Sequence, residues 1–219
     1  MSGPRFAVAR LDELDRFEGE FTTVPVRIPL GISAFGVNAY EAAAAGGAVI
    51  EEHDELGAGA GHHEELYLVL RGHARFTVAG EDVDAPVGTF VFVPDPATRR
   101  GAEAVAAGTT VLVVGATRGE AFQPSPWETW LEALPSYTAG DHEQAVEIMR
   151  RGLERHPDNA NVLYNLACCE ALAGLGDDAL AHLNRAAELD PRSVGWAQRD
   201  SDLDSIRDEP GFPRADSGA

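Results

Sequence analysis

Short alternating or apolar runs, separated by turn residues, follow one another from about residue 5 to residue 116. Valine, phenylalanine, threonine and tyrosine are enriched in these runs, and a glycine, proline or aspartate interrupts them roughly every eight to twelve residues. This pattern predicts antiparallel strands arranged as a sandwich or barrel. The predicted strands are VPVRIPL, FGVNAYEA, GAVIEEH, ELYLVLR, ARFTVAG, DAPV, TFVFVP, GAEAVA and TTVLVVGA.

The pattern becomes helical after the turn-rich segment TRGEAFQPSPWETW, so we place a domain boundary near residue 122. The prediction is a β domain over residues 1–121 and a helical domain over residues 122–219. Within the helical domain, YTAGDHEQAVEIMRRGLERHPDN aligns with EALAGLGDDALAHLNRAAELDPRS. Small residues and a proline recur 34 residues apart, in the pairs Gly140 and Gly174, Ala145 and Ala179, Gly152 and Ala186, and Pro157 and Pro191.

This spacing resembles the tetratricopeptide repeat, in which small residues let paired helices approach and a proline ends each unit. The resemblance implies one well-matched helix pair over about residues 160–193. The pair before it has a weaker first helix, interrupted by Pro135, and WAQRDSDLDSIRDEPGF is expected to form a capping helix. Such repeats imply a protein partner.

Composition excludes several classes of function. The net charge of −19 would repel phosphate groups, so neither nucleic acid nor an anionic membrane surface is an expected partner. All 17 basic residues are arginine, which excludes Schiff-base and phosphate-binding lysines, and no nucleotide cofactor is expected. The two cysteines, Cys168 and Cys169, are adjacent and form no disulfide framework. The apolar runs are short and the N-terminus lacks a signal-peptide pattern, so the sequence predicts a cytoplasmic protein.

The candidate chemistry is concentrated around a Gly-Ala loop in GAVIEEHDELGAGAGHHEELYLVLRG, residues 47–72. Side chains alternate along a strand, so His63 shares a face with Glu65 and Tyr67, and His53 shares one with Glu55. If both faces look into a barrel, two histidines and two carboxylates converge on one wall. The alternative is a polar hairpin that turns in solvent.

The spacing of these residues resembles the cupin family. Gly47, five residues, His53, one residue, Glu55, a loop, Glu65, six residues and Gly72 match its first motif, and Gly88, five residues, Pro94 and DPATR match its second. The resemblance covers about residues 24–116. It implies a jelly-roll β-barrel that binds a metal through histidines and a glutamate, in a homodimer.

The sequence departs from the cupin pattern at three positions. Glu55 stands where the family has its second histidine, Arg99 replaces the last histidine ligand, and Pro96 replaces a glycine. His63 is expected to substitute as a ligand, because it lies on the face of Glu65. The predicted ligand set for zinc, iron, manganese or nickel is therefore His53, Glu55, His63 and Glu65. A small-molecule ligand is expected to contact Arg99, Tyr67, Phe76 and Phe92.

Electrostatics leaves three interpretations open. Two ionised carboxylates about 4 Å apart repel by roughly 4 kcal/mol at an effective dielectric of 20, so inward-facing Glu55 and Glu65 require a cation, a shared proton or water. A metal supplies the cation in the first interpretation, and Arg99 supplies it in the second. In the third, a metal binds both carboxylates while Arg99 holds an anionic substrate.

Two classes of function remain at the level of sequence. One is a metal-dependent enzyme acting on a small polar or anionic substrate, with Glu65 or His63 as ligand or base, although the catalytic residues are not identified. The other is a metal-free sensory or regulatory cupin whose helical repeats contact a protein partner. Fold alone does not decide between them. We expect a small-molecule-binding cupin with a divalent metal in the barrel, and leave open whether it is an enzyme.

Overall fold

The computed structural model describes residues 7–57 and 59–214. The chain divides into two compact units between Pro124 and Ser125. The first unit consists mainly of strands, with one short helix, and the second of helices, in the order that the change of pattern along the sequence predicts.

Within the described residues, the first unit contains nine strands in two antiparallel sheets. The strand order is β1-β2-β9-β4-β7 in the five-stranded sheet and β3-β8-β5-β6 in the four-stranded sheet. Strands adjacent in these sheets are mostly distant in sequence, as expected when strands cross between two sheets. The strands are β1 Thr22–Pro25, β2 Gly36–Ala42, β3 Ala48–His53, β4 Glu64–Arg71, β5 His73–Val78, β6 Glu81–Pro86, β7 Phe90–Val93, β8 Arg100–Ala104 and β9 Thr109–Ala116.

The run VPVRIPL forms two elements. Its first residues belong to β1, and the short helix α1 (Arg27–Leu30) follows and ends at Gly31, which has a φ of 65°. Pro29 lacks the N–H group that a strand ladder needs, so this part of the run does not continue the sheet.

Alternation along β4 sets the core of the first unit. Glu65, Tyr67 and Val69 are buried, and the residues between them are half-buried. The Tyr67 ring packs edge-on against Phe76, with 5.4 Å between the ring centroids. Both rings belong to one apolar cluster with residues of β3, β8 and β9. Glu65 therefore lies on the core-facing side of the sheet, where a carboxylate requires partners.

Gly72 makes the tight turn between β4 and β5. Its φ is +71°, and a Cβ atom there would lie 2.5 Å from Thr109 Oγ1 and 2.9 Å from Thr109 Cα. Glycine is therefore required both by the left-handed backbone and by the close approach of β9. This glycine is the last residue of the first cupin-like motif.

The second unit contains five α-helices and a final 3₁₀ helix among the described residues. Gly140 and Gly174, predicted to be equivalent, both adopt left-handed conformations with φ of 76° and 78° at the turns between paired helices. Ala145, Ala179 and Ala186 are fully buried at the helix contacts. The helices are α2 Pro126–Thr138, α3 His142–Arg155, α4 Ala160–Leu172, α5 Gly176–Leu189, α6 Arg192–Ala197 and the 3₁₀ helix Ser201–Ile206.

Two details differ from the sequence prediction. Pro135 does not interrupt the first helix, because α2 continues through it to Thr138. Proline lies in the last turn of α2, where it removes one backbone donor from a helix that is about to end. The expected single capping helix is divided into α6 and the 3₁₀ helix. Among the described residues, no helix combines the length and apolar character needed to cross a membrane.

Candidate metal centre

His53 is the last residue of β3, and its ring orientation is fixed by the backbone. Its Nδ1 lies 2.7 Å from the Glu51 carbonyl oxygen. A carbonyl oxygen only accepts hydrogen bonds, so Nδ1 carries a proton. Nε2 then points towards two carboxylates, 3.7 Å from Glu55 Oε1 and 3.5 Å from Glu65 Oε2. This is the ring orientation that a backbone carbonyl imposes on metal-binding histidines.

Glu55 follows β3 and closes the Gly-Ala loop. Its Oε2 accepts hydrogen bonds from the backbone N–H groups of Gly61, at 2.9 Å, and His63, at 3.3 Å. Its own N–H donates to the Pro96 carbonyl oxygen at 2.8 Å. The second oxygen, Oε1, faces His53. Glu55 therefore ties both ends of the loop together and still presents one carboxylate oxygen to the site.

Glu65 is held by a buried arginine and a buried tyrosine. Its Oε2 accepts hydrogen bonds from the Tyr67 hydroxyl and from Arg100 Nε and Nη2, the latter two at 3.1 Å and 2.7 Å. The Arg100 side chain has no solvent exposure. Its Nη1 donates to the carbonyl oxygens of Thr98 and Pro96 at 2.8 Å and 3.2 Å. This network fixes the position and the charge of Glu65.

Polar neighbours oppose the effect of burial at His53 and at Glu65. Burial lowers the pKa of His53, but the nearby Glu65 carboxylate and the hydrogen bond to the Glu51 carbonyl outweigh it and raise that pKa above its ordinary value of 6.5. Burial also raises the pKa of Glu65, but His53, Tyr67 and Arg100 outweigh it and lower that pKa below its ordinary 4.5. The pKa of Tyr67 is well above 10 because the hydroxyl is buried beside Glu65. Glu65 is consequently a carboxylate, and Tyr67 a neutral donor.

His63 does not belong to the group of side chains formed by His53, Glu55 and Glu65. It is buried, and its ring packs against Phe122 with 5.3 Å between the ring centroids. Its Nδ1 lies 4.0 Å from Glu55 Oε2, and its Nε2 has no hydrogen-bond partner among the described residues. The chain turns sharply before it, because His62 has a φ of 57°. The strand alternation predicts the inward direction of His63, but not this displacement from the other ligands.

Arg99 does not face Glu55 or Glu65, so the interpretation in which Arg99 supplies the cation for these two carboxylates is wrong. Its side chain is 59% exposed, its Nε donates to Glu52 Oε1 at 2.9 Å, and its Nη1 lies 3.9 Å from Asp54 Oδ2. The arginine in the interior is the next residue, Arg100, which begins β8. Arg100 is in phase with Ala102 and Ala104, which face the core. The spacing of the second motif selected Arg99, whereas strand alternation would have selected Arg100.

The aromatic residues predicted to contact a ligand separate into two groups. Tyr67 and Phe76 are fully buried in the core of the first unit. Phe92 is 52% exposed, so it does not line the barrel. Its partner across the sheet is Leu66, which lies on the opposite face from Tyr67. The inward side chain of this part of β7 is Val93.

The three remaining ligand atoms fit a divalent metal ion. One atom each from His53, Glu55 and Glu65 lies within 4.8 Å of the others. The separations of 3.5 and 3.7 Å from His53 Nε2 are too long for hydrogen bonds. They are close to the roughly 3 to 3.5 Å that separates neighbouring ligands of one ion with bonds of about 2.1 Å.

One family model and several solved structures are similar to parts of this chain. A tetratricopeptide-repeat family model matches residues 136–198. Among solved structures, the chain is similar to a cupin protein from Bacteroides fragilis, at 17% identity over 56% of this chain and 93% of that chain, with a TM-score of 0.43. It is also similar to KdgF from a Halomonas species, at 15% identity over 54% and 97% of the two chains, with a TM-score of 0.40. A search of curated proteins found no match.

A sugar phosphate isomerase of the cupin superfamily from Silicibacter pomeroyi is also similar, at 19% identity over 52% of this chain and 76% of that chain, with a TM-score of 0.41. The chain joins a unit of two antiparallel sheets to a helical unit that contains the tetratricopeptide match, so the predicted order of a β domain and a tetratricopeptide-like helical region is confirmed. In the first unit, the loop within the first motif carries Glu55, and the strand that follows the second motif carries Arg100.

A second group of possible ligands lies in the tetratricopeptide segment. One atom each from Cys168, Asp200 and Asp202 lies within 4.8 Å of the others. The two carboxylates already have structural roles, because Asp200 caps the 3₁₀ helix and each accepts a hydrogen bond from a tyrosine, Tyr164 or Tyr137. Burial raises the pKa of the Cys168 thiol, which keeps it protonated. The two aspartates therefore lie beside Cys168 because they hold the start of the 3₁₀ helix and two tyrosine hydroxyls.

Proposed function

We propose that the cupin unit binds a small polar molecule at a divalent metal ion held by His53, Glu55 and Glu65. The observation that supports this proposal most directly is the direction of His53 Nε2. With Nδ1 protonated towards Glu51, the Nε2 atom faces two carboxylate oxygens at distances too long for hydrogen bonds. A cation between the three atoms would contact all of them at once.

The ligand types suit zinc, iron, manganese or nickel. When bound, such an ion would act as a Lewis acid on an oxygen atom of the ligand. The residues of the chain have separate parts in the site. His53 is the most accessible of the three, since 32% of its side chain is exposed, whereas Glu55 and Glu65 are both buried. Tyr67 and Arg100 orient Glu65.

We expect the double substitution His53→Ala and Glu65→Ala to remove the metal. The full-length protein, reconstituted with zinc, iron, manganese or nickel and then desalted, should carry about one ion per chain, and the variant should carry none. Metal content is measured by inductively coupled plasma mass spectrometry. The matched control is His62→Ala with Glu64→Ala, because His62 is exposed and Glu64 pairs with Arg118 at the surface. Full metal content in the site variant, or none in the wild type, would contradict the proposal.

We also propose that the cupin unit forms a homodimer through the outer face of its five-stranded sheet. Phe90 and Phe92 lie on the edge strand β7 and are 63% and 52% exposed. They stand opposite Leu68 and Leu66, so this face is apolar across two strands. Two copies of a chain with a net charge of −19 repel each other. An uncharged face is therefore the favourable place for a second copy to pack.

Replacing Phe90 and Phe92 by serine should convert a dimer to a monomer, because it removes the two most exposed rings of this face. Molar mass is measured by size-exclusion chromatography with light scattering. The control changes Arg75 and Thr77 to serine on the exposed face of β5 in the other sheet, and it should remain dimeric. A wild-type monomer, or a dimer that survives loss of both rings, would refute this interface.

The protein partner predicted for the helical repeats also stays a proposal, supported by the match of residues 136–198 to the tetratricopeptide repeat. The cytoplasmic location stays a prediction from sequence.

A further inference from the structure

Arg100 is inaccessible to any ligand of the barrel. Its side chain has no solvent exposure, and its donors are directed to protein acceptors. Nε and Nη2 donate to Glu65 Oε2, and Nη1 donates to two backbone carbonyl oxygens. An anion cannot replace these acceptors without opening the core. Arg100 can therefore act on the site only through its charge and through the position that it gives to Glu65.

The charges of the site indicate what this buried cation does. With neutral His53, the carboxylates of Glu55 and Glu65 contribute two negative charges, and Arg100 removes one. The sum is one negative charge. Glu55 is the second carboxylate of the site, and the buried guanidinium offsets its charge.

We propose that Arg100 is a charge-balancing and positioning residue that leaves the metal-loaded site with one net positive charge, so that the site takes a singly negative ligand at the ion. This inference rests on the proposed metal site and adds the ligand class to it. A divalent ion added to a ligand set of charge −1 retains a charge of +1. Without Arg100 the ligand set would have a charge of −2 and would neutralise the ion completely.

The position of Glu65 is part of the same arrangement. All the hydrogen bonds described for this carboxylate fall on Oε2, from Tyr67 and Arg100. They restrict the lone pairs that Oε2 can give to a metal, so an ion competes with the guanidinium for the same carboxylate. Removing Arg100 should therefore strengthen metal binding and weaken anion binding. These opposite changes distinguish charge balance from simple structural damage, which would weaken both.

The test uses cobalt(II) as the metal and azide as a singly negative probe, both followed by visible absorption of the full-length protein. In Arg100→Met, cobalt should bind at least about tenfold more tightly, and azide at least about tenfold more weakly, than in the wild type. Adding Glu55→Gln restores the charge sum of −1 and keeps an acceptor for the loop N–H groups. The double variant should return both affinities towards the wild-type values. Arg99→Met, the adjacent and exposed arginine, should change neither affinity.

The variant Glu55→Gln alone provides the reverse test and leaves the buried Arg100 pair intact. It raises the charge sum to zero, so cobalt should bind more weakly and azide more tightly, each by about tenfold. If cobalt binds to the wild type but azide affinity is unchanged in both Arg100→Met and Glu55→Gln, the inference about Arg100 is wrong and the metal site remains. If the wild type binds no cobalt, the proposed metal site fails, and this inference fails with it.

Discussion

Replacing Arg100 by methionine should lower the free energy of unfolding of the metal-free protein by about 3 to 5 kcal/mol, the usual cost of breaking a buried ion pair by removing one partner. Methionine fills much of the space but supplies no donor to Glu65 Oε2, which loses two hydrogen bonds from the guanidinium. The carbonyl oxygens of Pro96 and Thr98 lose theirs as well. Urea denaturation in the presence of a chelator measures the change.

The loss in Arg100→Met should depend on pH. In the wild type, the pKa of Glu65 is lowered in the folded state, so this group contributes stability above its ordinary pKa of 4.5 and loses it as the pH falls through the folded value. In the variant, burial without the guanidinium raises that pKa, and protonation then favours the folded state. The difference in stability between the two proteins should therefore decrease as the pH is lowered from 7 to about 4.

Arg99→Met is the matched control for this measurement. Arg99 is 59% exposed and pairs with Glu52 at the surface, so its loss should change the free energy of unfolding by no more than about 0.5 kcal/mol. Equal effects of the two substitutions would show that the buried pair between Arg100 and Glu65 does not exist in solution.

Replacing Gly152 by alanine should destabilise the tetratricopeptide segment by about 3 kcal/mol, the upper range for overpacking a tight contact. Replacing glycine by alanine inside a helix ordinarily stabilises a protein by about 1 kcal/mol. At Gly152 we expect the opposite change in stability. A Cβ atom on Gly152 of α3 would overlap Thr129 Cγ2 of α2 and lie 2.9 Å from Thr129 Oγ1. The two helices would have to separate. Thermal or urea unfolding followed by circular dichroism measures the change.

Thr129→Ala should rescue part of this loss. It removes both of the Thr129 atoms that approach the new methyl group most closely, and Thr129 Oγ1 has no hydrogen-bond partner among the described residues, so its removal costs little. The control is Gly195→Ala in α6, where a Cβ atom has nothing within 4 Å. That substitution should be neutral or stabilising. If Gly152→Ala behaves like Gly195→Ala, the close packing of α2 on α3 is incorrect.

Strand and helix positions were largely predictable, because each depends on a local period of side chains. Alternation in ELYLVLR predicts β4 and the inward direction of Glu65 and Tyr67. The 34-residue spacing predicts that Gly140 and Gly174 occupy equivalent turns, and both have the same left-handed backbone. Pro135 was predicted to interrupt the first helix, but it removes only one backbone donor from α2, which continues to Thr138.

The candidate site was predictable only in part. The fold brings His53, Glu55 and Glu65 together, as the spacing of the first motif and the strand period both predict, and their role as metal ligands stays a prediction. Around the second motif, the motif spacing points to Arg99, whereas the strand period points to Arg100. A shift of one residue along a strand exchanges the two faces of the sheet, so choosing Arg99 placed an exposed residue in the interior.

The sequence by itself determined the class of each half, the repeat, and which strands carry possible ligands, since these follow from local periods and motif spacing. Only the tertiary structure decided which side chains meet. It placed Arg100 on Glu65, turned Phe92 outward, and moved His63 against Phe122 and away from the other ligands. Contacts of this kind depend on the register between strands that are distant in the sequence. A one-residue difference in that register reverses which face a side chain occupies, and no local pattern determines it.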